Sequence, residues 1–159
     1  MSLKANILYS LKLSRQMLEG YIEGIASPEE WVYQVHQHAN HPLWLVAHLG
    51  LTDNSFLARM NPDWDRIPAG WNEMFWFDSD VHSDLDKYPA PTAVVEYCRE
   101  RREKLLDAIA QLTDEFLESP APPEGMFADA PNMGQLLLFV SFHEGLHAGQ
   151  FSIAHRGLG

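Results

Sequence analysis

The chain has 159 residues, 46% apolar and 21% charged side chains, and a formal net charge of -11. That length and composition fit one globular domain spanning 1–159 with a core of its own. The negative balance argues against a nucleic-acid partner, which phosphate chemistry requires to present clustered Lys and Arg, and no apolar run approaches the ~20 residues of a membrane span. A single cysteine, Cys98, excludes an internal disulfide, and Met1-Ser2-Leu3-Lys4 lacks signal-peptide anatomy, so the expected location is the cytoplasm.

Helical periodicity predicts a first amphipathic helix from Leu3 to about Ile25, with Ile7, Leu11, Met17/Leu18, Tyr21, Ile22 and Ile25 inward and Lys4, Lys12, Arg15 and Glu19 on other faces. Ser27-Pro28-Glu29-Glu30 reads as a short helical start. The His-rich stretch His36-Gln37-His38-Ala39-Asn40-His41 could bind a metal loosely but reads first as a solvated lead-in, with Asn40 or His41 as cap and Pro42 at the first position of a second helix to about Met60. That helix turns Leu45, His48/Leu49, Thr52, Phe56 and Met60 inward, which places His48 with the core face.

Between Asn61 and Pro91 the periodicity fails, and Trp64, Trp71, Phe75, Trp76 and Phe77 lie among Pro, Gly and Asp. Thirty residues without structure are unusual in a compact domain, so local turns are expected. A connection this long can run back along a helix, which would make the second and third helices parallel and joined by a crossover. Its aromatics fill core, line a pocket mouth or meet a partner, with Trp71 and Trp76 the foremost candidates for the pocket or an interface. The third helix, Thr92 to about Leu112, packs Val94/Val95, Cys98, Leu105, Ile109 and Leu112 inward, and the charges from Glu96 to Lys104 read as a solvated face. A Pro-rich loop over Glu118 to Pro131 precedes a fourth helix, Met133 to His155, capped by Asn132. The sum is an all-α four-helix bundle.

The fourth helix carries His143-Glu144-Gly145-Leu146-His147-Ala148-Gly149-Gln150. His143 and His147 are one helical turn apart on the buried stripe, a spacing that lets two imidazoles share a metal ion and equally suits two core histidines bonded to backbone or water. The string also satisfies the zinc-protease pattern H-E-x-x-H, but no Glu or Asp follows His147, and the position six beyond it is Ile153. Glu144 and His147 spell half of a di-iron motif whose second copy is missing. A three-histidine site remains, with His48 as third ligand. Its open positions would suit water or an anion such as a thiolate. Glu144 and Gln150 are the neighbouring candidates: Gln150 to orient His147 or a bound water, Glu144 as a supporting acid or a surface group. No general base is assigned. Gly145 and Gly149 would let a neighbouring helix pack tightly.

Asn40-His41-Pro42-Leu43-Trp44-Leu45-Val46-Ala47-His48-Leu49 and the H-x-x-x-H-x-G-Q string from His143 to Gln150 together resemble the DinB/YfiT-like metalloenzyme superfamily over nearly the whole chain. The resemblance implies an up-down-down-up bundle with a long crossover between helices 2 and 3. It implies one divalent ion on His48, His143 and His147, with zinc or nickel the typical occupant and iron or manganese alternatives. It further implies a metal-dependent transferase or isomerase acting on a small molecule with a low-molecular-weight thiol, no DNA-binding role, and a homodimer. The competing expectations are a metal-binding, stress-associated bundle without turnover, and a metal-dependent hydrolase.

Overall fold

The computed structural model describes residues 2–122 and 130–158, and among these there are helices and no strands. Four long helices make the bundle: α1 (Leu3–Glu23), α2 (Pro42–Met60), α4 (Pro91–Gln111) and α6 (Met133–Gly157). Two single-turn helices, α3 (Trp71–Phe75) and α5 (Asp114–Glu118), lie in the connections. Each long helix starts where the sequence supplies a cap or a proline. Ser2 accepts from the Ala5 amide, His41 Nδ1 accepts from the Trp44 amide with Pro42 next in line, Pro91 opens α4, and Asn132 accepts from the Gln135 amide. The Pro-rich loop expected over 118–131 falls partly outside the described residues.

The course is up-down-down-up. α1 and α6 run parallel, since Leu3 lies against Gly134, Ser14 bonds Glu144 and Tyr21 stacks on Phe151. α2 and α4 are also parallel, with Gly50 against Tyr97 and Cys98 and Asp53 bonded to Arg102. α1 opposes α4: Lys4 Nζ donates to the Leu112 carbonyl, while Arg15 reaches the carbonyl of Cys98. A Cβ on Gly50 would stand 2.9 Å from the Tyr97 ring and 3.1 Å from the Cys98 Cα, so glycine permits this close seam.

The crossover from 61 to 90 returns the chain along α2, using 3-10 turns at Pro62–Trp64 and Leu85–Lys87 and the short α3. Gly70, at φ 79°, opens α3 in the left-handed region that side chains avoid. Trp71 is core, packed edge-on against Phe75 and Tyr97, which answers the alternatives left open for it.

Two apolar clusters fill the bundle. One joins Leu18, Ile22, the first half of α2, Trp71, Phe75, Val94, Cys98 and Phe151. The other joins Ile7, Leu11, Phe56, Leu57, Leu105, Ile109, Leu136, Leu137 and Val140. Along every long helix the boundary between them is occupied by a buried charge: Arg15, Asp53, Arg102 and Glu144. The charged stretch of α4 is therefore not all surface. Glu96, Arg99, Glu100, Glu103 and Lys104 are exposed, but Arg101 and Arg102 are buried, because 3.6-residue periodicity carries them to the inner face.

Candidate metal centre

His48 sits in the middle of α2, with His143 and His147 opposite it on α6; all three are at most 8% exposed. The Nδ1 of His48 lies 2.9 Å from the carbonyl oxygen of Phe75, the last residue of α3. A carbonyl only accepts, so Nδ1 carries the proton and Nε2 is left with a free lone pair. The Nδ1 of His147 lies 2.7 Å from Gln150 Oε1, one turn further on, with the same consequence. The Nε2 atoms then converge: His143 to His147 at 3.0 Å and His48 to His143 at 3.4 Å, with one ligand atom from each of the three residues lying within 4.8 Å of the others. A tetrahedral ion with bonds of ~2.0–2.1 Å has nitrogen-to-nitrogen edges of roughly 3.3 Å, so the spacing is that of a ligand set. The Nε2 lone pairs of His48 and His147 both face His143 Nε2, and a cation at that point would take up all three nitrogens. His143 Nδ1 is buried with no hydrogen-bond partner among the described residues.

Burial sets the protonation states. Desolvation, and then the neighbouring His147, pushes His48 down to about 4, against a smaller opposing pull from the Phe75 carbonyl. Desolvation, then His147 and His48, pushes His143 to about 3 although Glu144 pulls the other way. His147 is lowered by desolvation too, against the bond to Gln150. The cluster is thus three neutral imidazoles, capable of coordinating a divalent metal at neutral pH.

A family profile described as the DinB superfamily matches residues 10–151. The chain belongs to the DinB superfamily. No curated protein and no solved structure matches it.

Aromatic rings wall this DinB site. Trp44 stacks on His48 with centroids 4.6 Å apart and fixes its own Nε1–H on Ser79 Oγ at 2.8 Å. Trp76 and Phe77, from the crossover, lie 5.5 and 5.6 Å from the His48 ring, and Phe139 stacks on His143 at 5.8 Å. The crossover therefore reaches the site through Trp76 and Phe77 while Trp71 stays in the core.

Glu144 does not touch the imidazoles. Its carboxylate accepts from Ser14 Oγ at 2.5 Å, Arg15 Nε at 2.6 Å and Arg102 Nη1 at 2.6 Å. Asp53 accepts from Arg102 Nε and Nη2, both at 2.9 Å, and from Arg15 Nη2 at 3.1 Å. Two cations and two anions, one from each long helix, close a neutral ring. Burial pushes the Glu144 carboxyl up, and Arg102 and Arg15 with the Ser14 hydroxyl outweigh it, holding it below the ordinary range. Glu144 is therefore a buried ion and not a surface group, and its charge still acts on the neighbouring His143.

Gly145 and Gly149 also depart from expectation. A Cβ at either would have nothing within 4 Å, so no helix among the described residues packs on them. The remaining histidines are elsewhere. His41 caps α2, buried and pushed by desolvation to about 4, while the His36 and His38 rings lie tilted against each other at the exposed lead-in.

The depressed histidines make the metal-free protein acid-sensitive. An unfolded His protonates near 6.5, whereas folded His48 and His41 do so only at about 4. Between those values the unfolded chain binds more protons, so stability falls as pH drops from 6.5 towards 4. Denaturant unfolding in chelator at pH 7 and pH 5 should show the loss, and equal stability at both would contradict neutral burial.

Proposed function

We propose that His48, His143 and His147 hold one divalent metal ion and that the protein is a metal-dependent enzyme acting on a small molecule, of the thiol-dependent transferase or isomerase type. The convergence of three Nε2 atoms in a buried, aromatic-walled cleft, two of them left proton-free by the Nδ1 bonds of His48 and His147, is the observation that supports this. Zinc or nickel is the expected occupant, iron or manganese the alternatives; three imidazoles accept several first-row ions. Three protein ligands leave positions for an exogenous donor, and a bound dication lowers the pKa of a thiol presented to it. The chain's own part is to orient the ligands. Phe75 and Gln150 fix the tautomers of His48 and His147, and Trp44 holds the His48 ring plane.

For the hydrolase alternative, in which a metal-bound water attacks, Glu144 does not offer a free general base, because its carboxylate is engaged by Ser14, Arg15 and Arg102. The bundle without turnover is the second reading, favoured by the lack of any such base. We place the protein in the cytoplasm as one domain and as a homodimer, with no nucleic-acid partner. No helix among the described residues is long and apolar enough to cross a membrane. Self-association is supported by the outer faces of α1 and α6, which expose Leu13, Met17, Phe142, Leu146 and Ile153 around Gly145 and Gly149.

Elemental analysis of the purified protein, followed by thiol titration of the nickel or cobalt form, tests this reading. About one metal per chain and a thiolate-to-metal absorption band are expected. Absence of metal after reconstitution would overturn it, and metal without any thiol response would favour the bundle without turnover.

A further inference from the structure

Three neutral ligands leave a dication uncompensated, so the incoming donor is expected to be an anion. What the rest of that ligand looks like depends on the side chains around the cleft, and their charge is settled by locating all eleven Lys and Arg residues. Arg15 and Arg102 are consumed in the buried ring. Arg99 pairs with Glu19 and Arg101 with Glu100. Lys4 sits on the Ala110 and Leu112 carbonyls at the end of α4, and Lys104 lies over the Trp64 ring. Arg66 donates to the carbonyls of Asp63 and Asp65. Lys12 shares the α1/α4 groove with Glu103 and Asp107, and Lys87 shares a groove with Glu73, Asp78 and Asp80. Arg59 and Arg156 are ~16 Å and ~13 Å along their helices from His48 and His147 at 1.5 Å per residue. Residues 123–129 contain neither Lys nor Arg.

Only Lys87 stands near the cleft, in the groove beside Phe77 where Glu73, Asp78 and Asp80 outnumber it. The walls of the cleft are rings. Trp76 is half-buried beside His48, and Phe77, in ring contact with both His48 and Trp76, is 57% exposed. Directly after Phe77 come Asp78 and Asp80, both exposed, and with Glu73 they leave the groove they share with Lys87 net negative, which disfavours an anionic ligand body. Phe77 and the half-buried Trp76 together offer a contiguous apolar wall at the mouth of the histidine cluster.

We propose that the site takes a ligand with a single anionic donor atom on an uncharged, aromatic or apolar body, and discriminates against ligands carrying further carboxylates. This rests on the reading of His48, His143 and His147 as metal ligands. Trp76 and Phe77 are the specificity-determining residues: they receive the apolar body while the donor faces the Nε2 cluster.

The test uses the cobalt-reconstituted protein, followed by its visible absorption. Three probes are titrated: azide, which needs the metal alone; phenylmethanethiol, a thiol on a neutral aromatic body; and glutathione, an alkyl thiol carrying two carboxylates. Phenylmethanethiol should bind at least about tenfold tighter than glutathione, the equivalent of ~1.4 kcal/mol. Phe77→Ala and Trp76→Ala should each weaken phenylmethanethiol about five- to tenfold and leave azide unchanged, since each removes part of the apolar wall that covers the ligand ring. Phe77→Arg, which adds a cation to that wall, should narrow the preference. Glutathione binding as tightly as phenylmethanethiol, or a preference unmoved by all three variants, overturns the proposal. Failure to take up cobalt, or to bind azide once loaded, overturns the metal centre itself and is told apart by metal stoichiometry.

Discussion

Alanine at His48, His143 or His147 is expected to abolish tight divalent-metal binding, each on its own, while His36→Ala, His38→Ala and His82→Ala leave the stoichiometry unchanged. Removing one of three ligands leaves two nitrogens on a dication in a cleft whose other walls are aromatic rings. Affinity should fall by several orders of magnitude, read by competition against a chromophoric chelator. The supporting contacts predict a smaller, graded effect. Gln150→Ala leaves the His147 Nδ1–H without its acceptor, and losses of ~10–100-fold are typical when such a contact goes. The order of effect, His48 above Gln150 above His82, separates a metal site from a hydrogen-bonded cluster of core histidines. In the latter, His48→Ala would alter stability and leave whatever metal the protein carries untouched. Retention of tight binding in His48→Ala would remove the three-histidine model.

Much of this architecture was legible in the residues. Unbroken 3.6-residue periodicity, together with Pro42 and Asn132 at two of the starts, places the four long helices within a residue or two of where they lie. A thirty-residue connection has the reach to return along α2, and it does. His48, His143 and His147 are brought together because each rides a buried stripe. The two things missed have different reasons. The acceptor that orients His48 is the backbone of Phe75, and a carbonyl leaves no mark in a sequence. The ring of Arg15, Asp53, Arg102 and Glu144 did leave a mark. Arg15 falls between Leu11 and Leu18, Asp53 between Leu49 and Leu57, Arg102 between Cys98 and Leu105, and Glu144 between Val140 and Phe151, each on an apolar stripe. Taken one helix at a time, such a charge reads as surface, as with Arg102 in the run from Glu96 to Lys104. Only the balance of two cations against two anions, one per helix, identifies them as one buried layer.

That layer carries the largest expected effect on stability. Arg102→Ala removes both bonds to Asp53, the bond to Glu144 and the bond to the Leu11 carbonyl, and leaves two buried carboxylates with Arg15 alone. Breaking a buried pair on one side costs about 3–5 kcal/mol, which for a chain of this size lowers the melting temperature by roughly 6–20 °C. The cost arises from the orphaned anions rather than from any large net worth of the ring. Replacing all four residues by apolar side chains of similar volume should therefore leave stability near wild type or raise it, since the whole desolvation penalty disappears along with the attraction. The acid dependence separates the two cases. Glu144 titrates below its ordinary 4.5 in the folded state, so its contribution is complete above that value and is lost as pH falls through the folded one. Wild type should show this loss, and the fourfold apolar variant should not. Metal affinity supplies the last discrimination. Glu144 adjoins His143, and the ring ties α6 to α2 at the level where the Nε2 atoms meet. If the ring sets the register of the site, the fourfold variant folds stably and binds metal more weakly than wild type. Unchanged affinity in that variant would mean that packing alone positions the histidines.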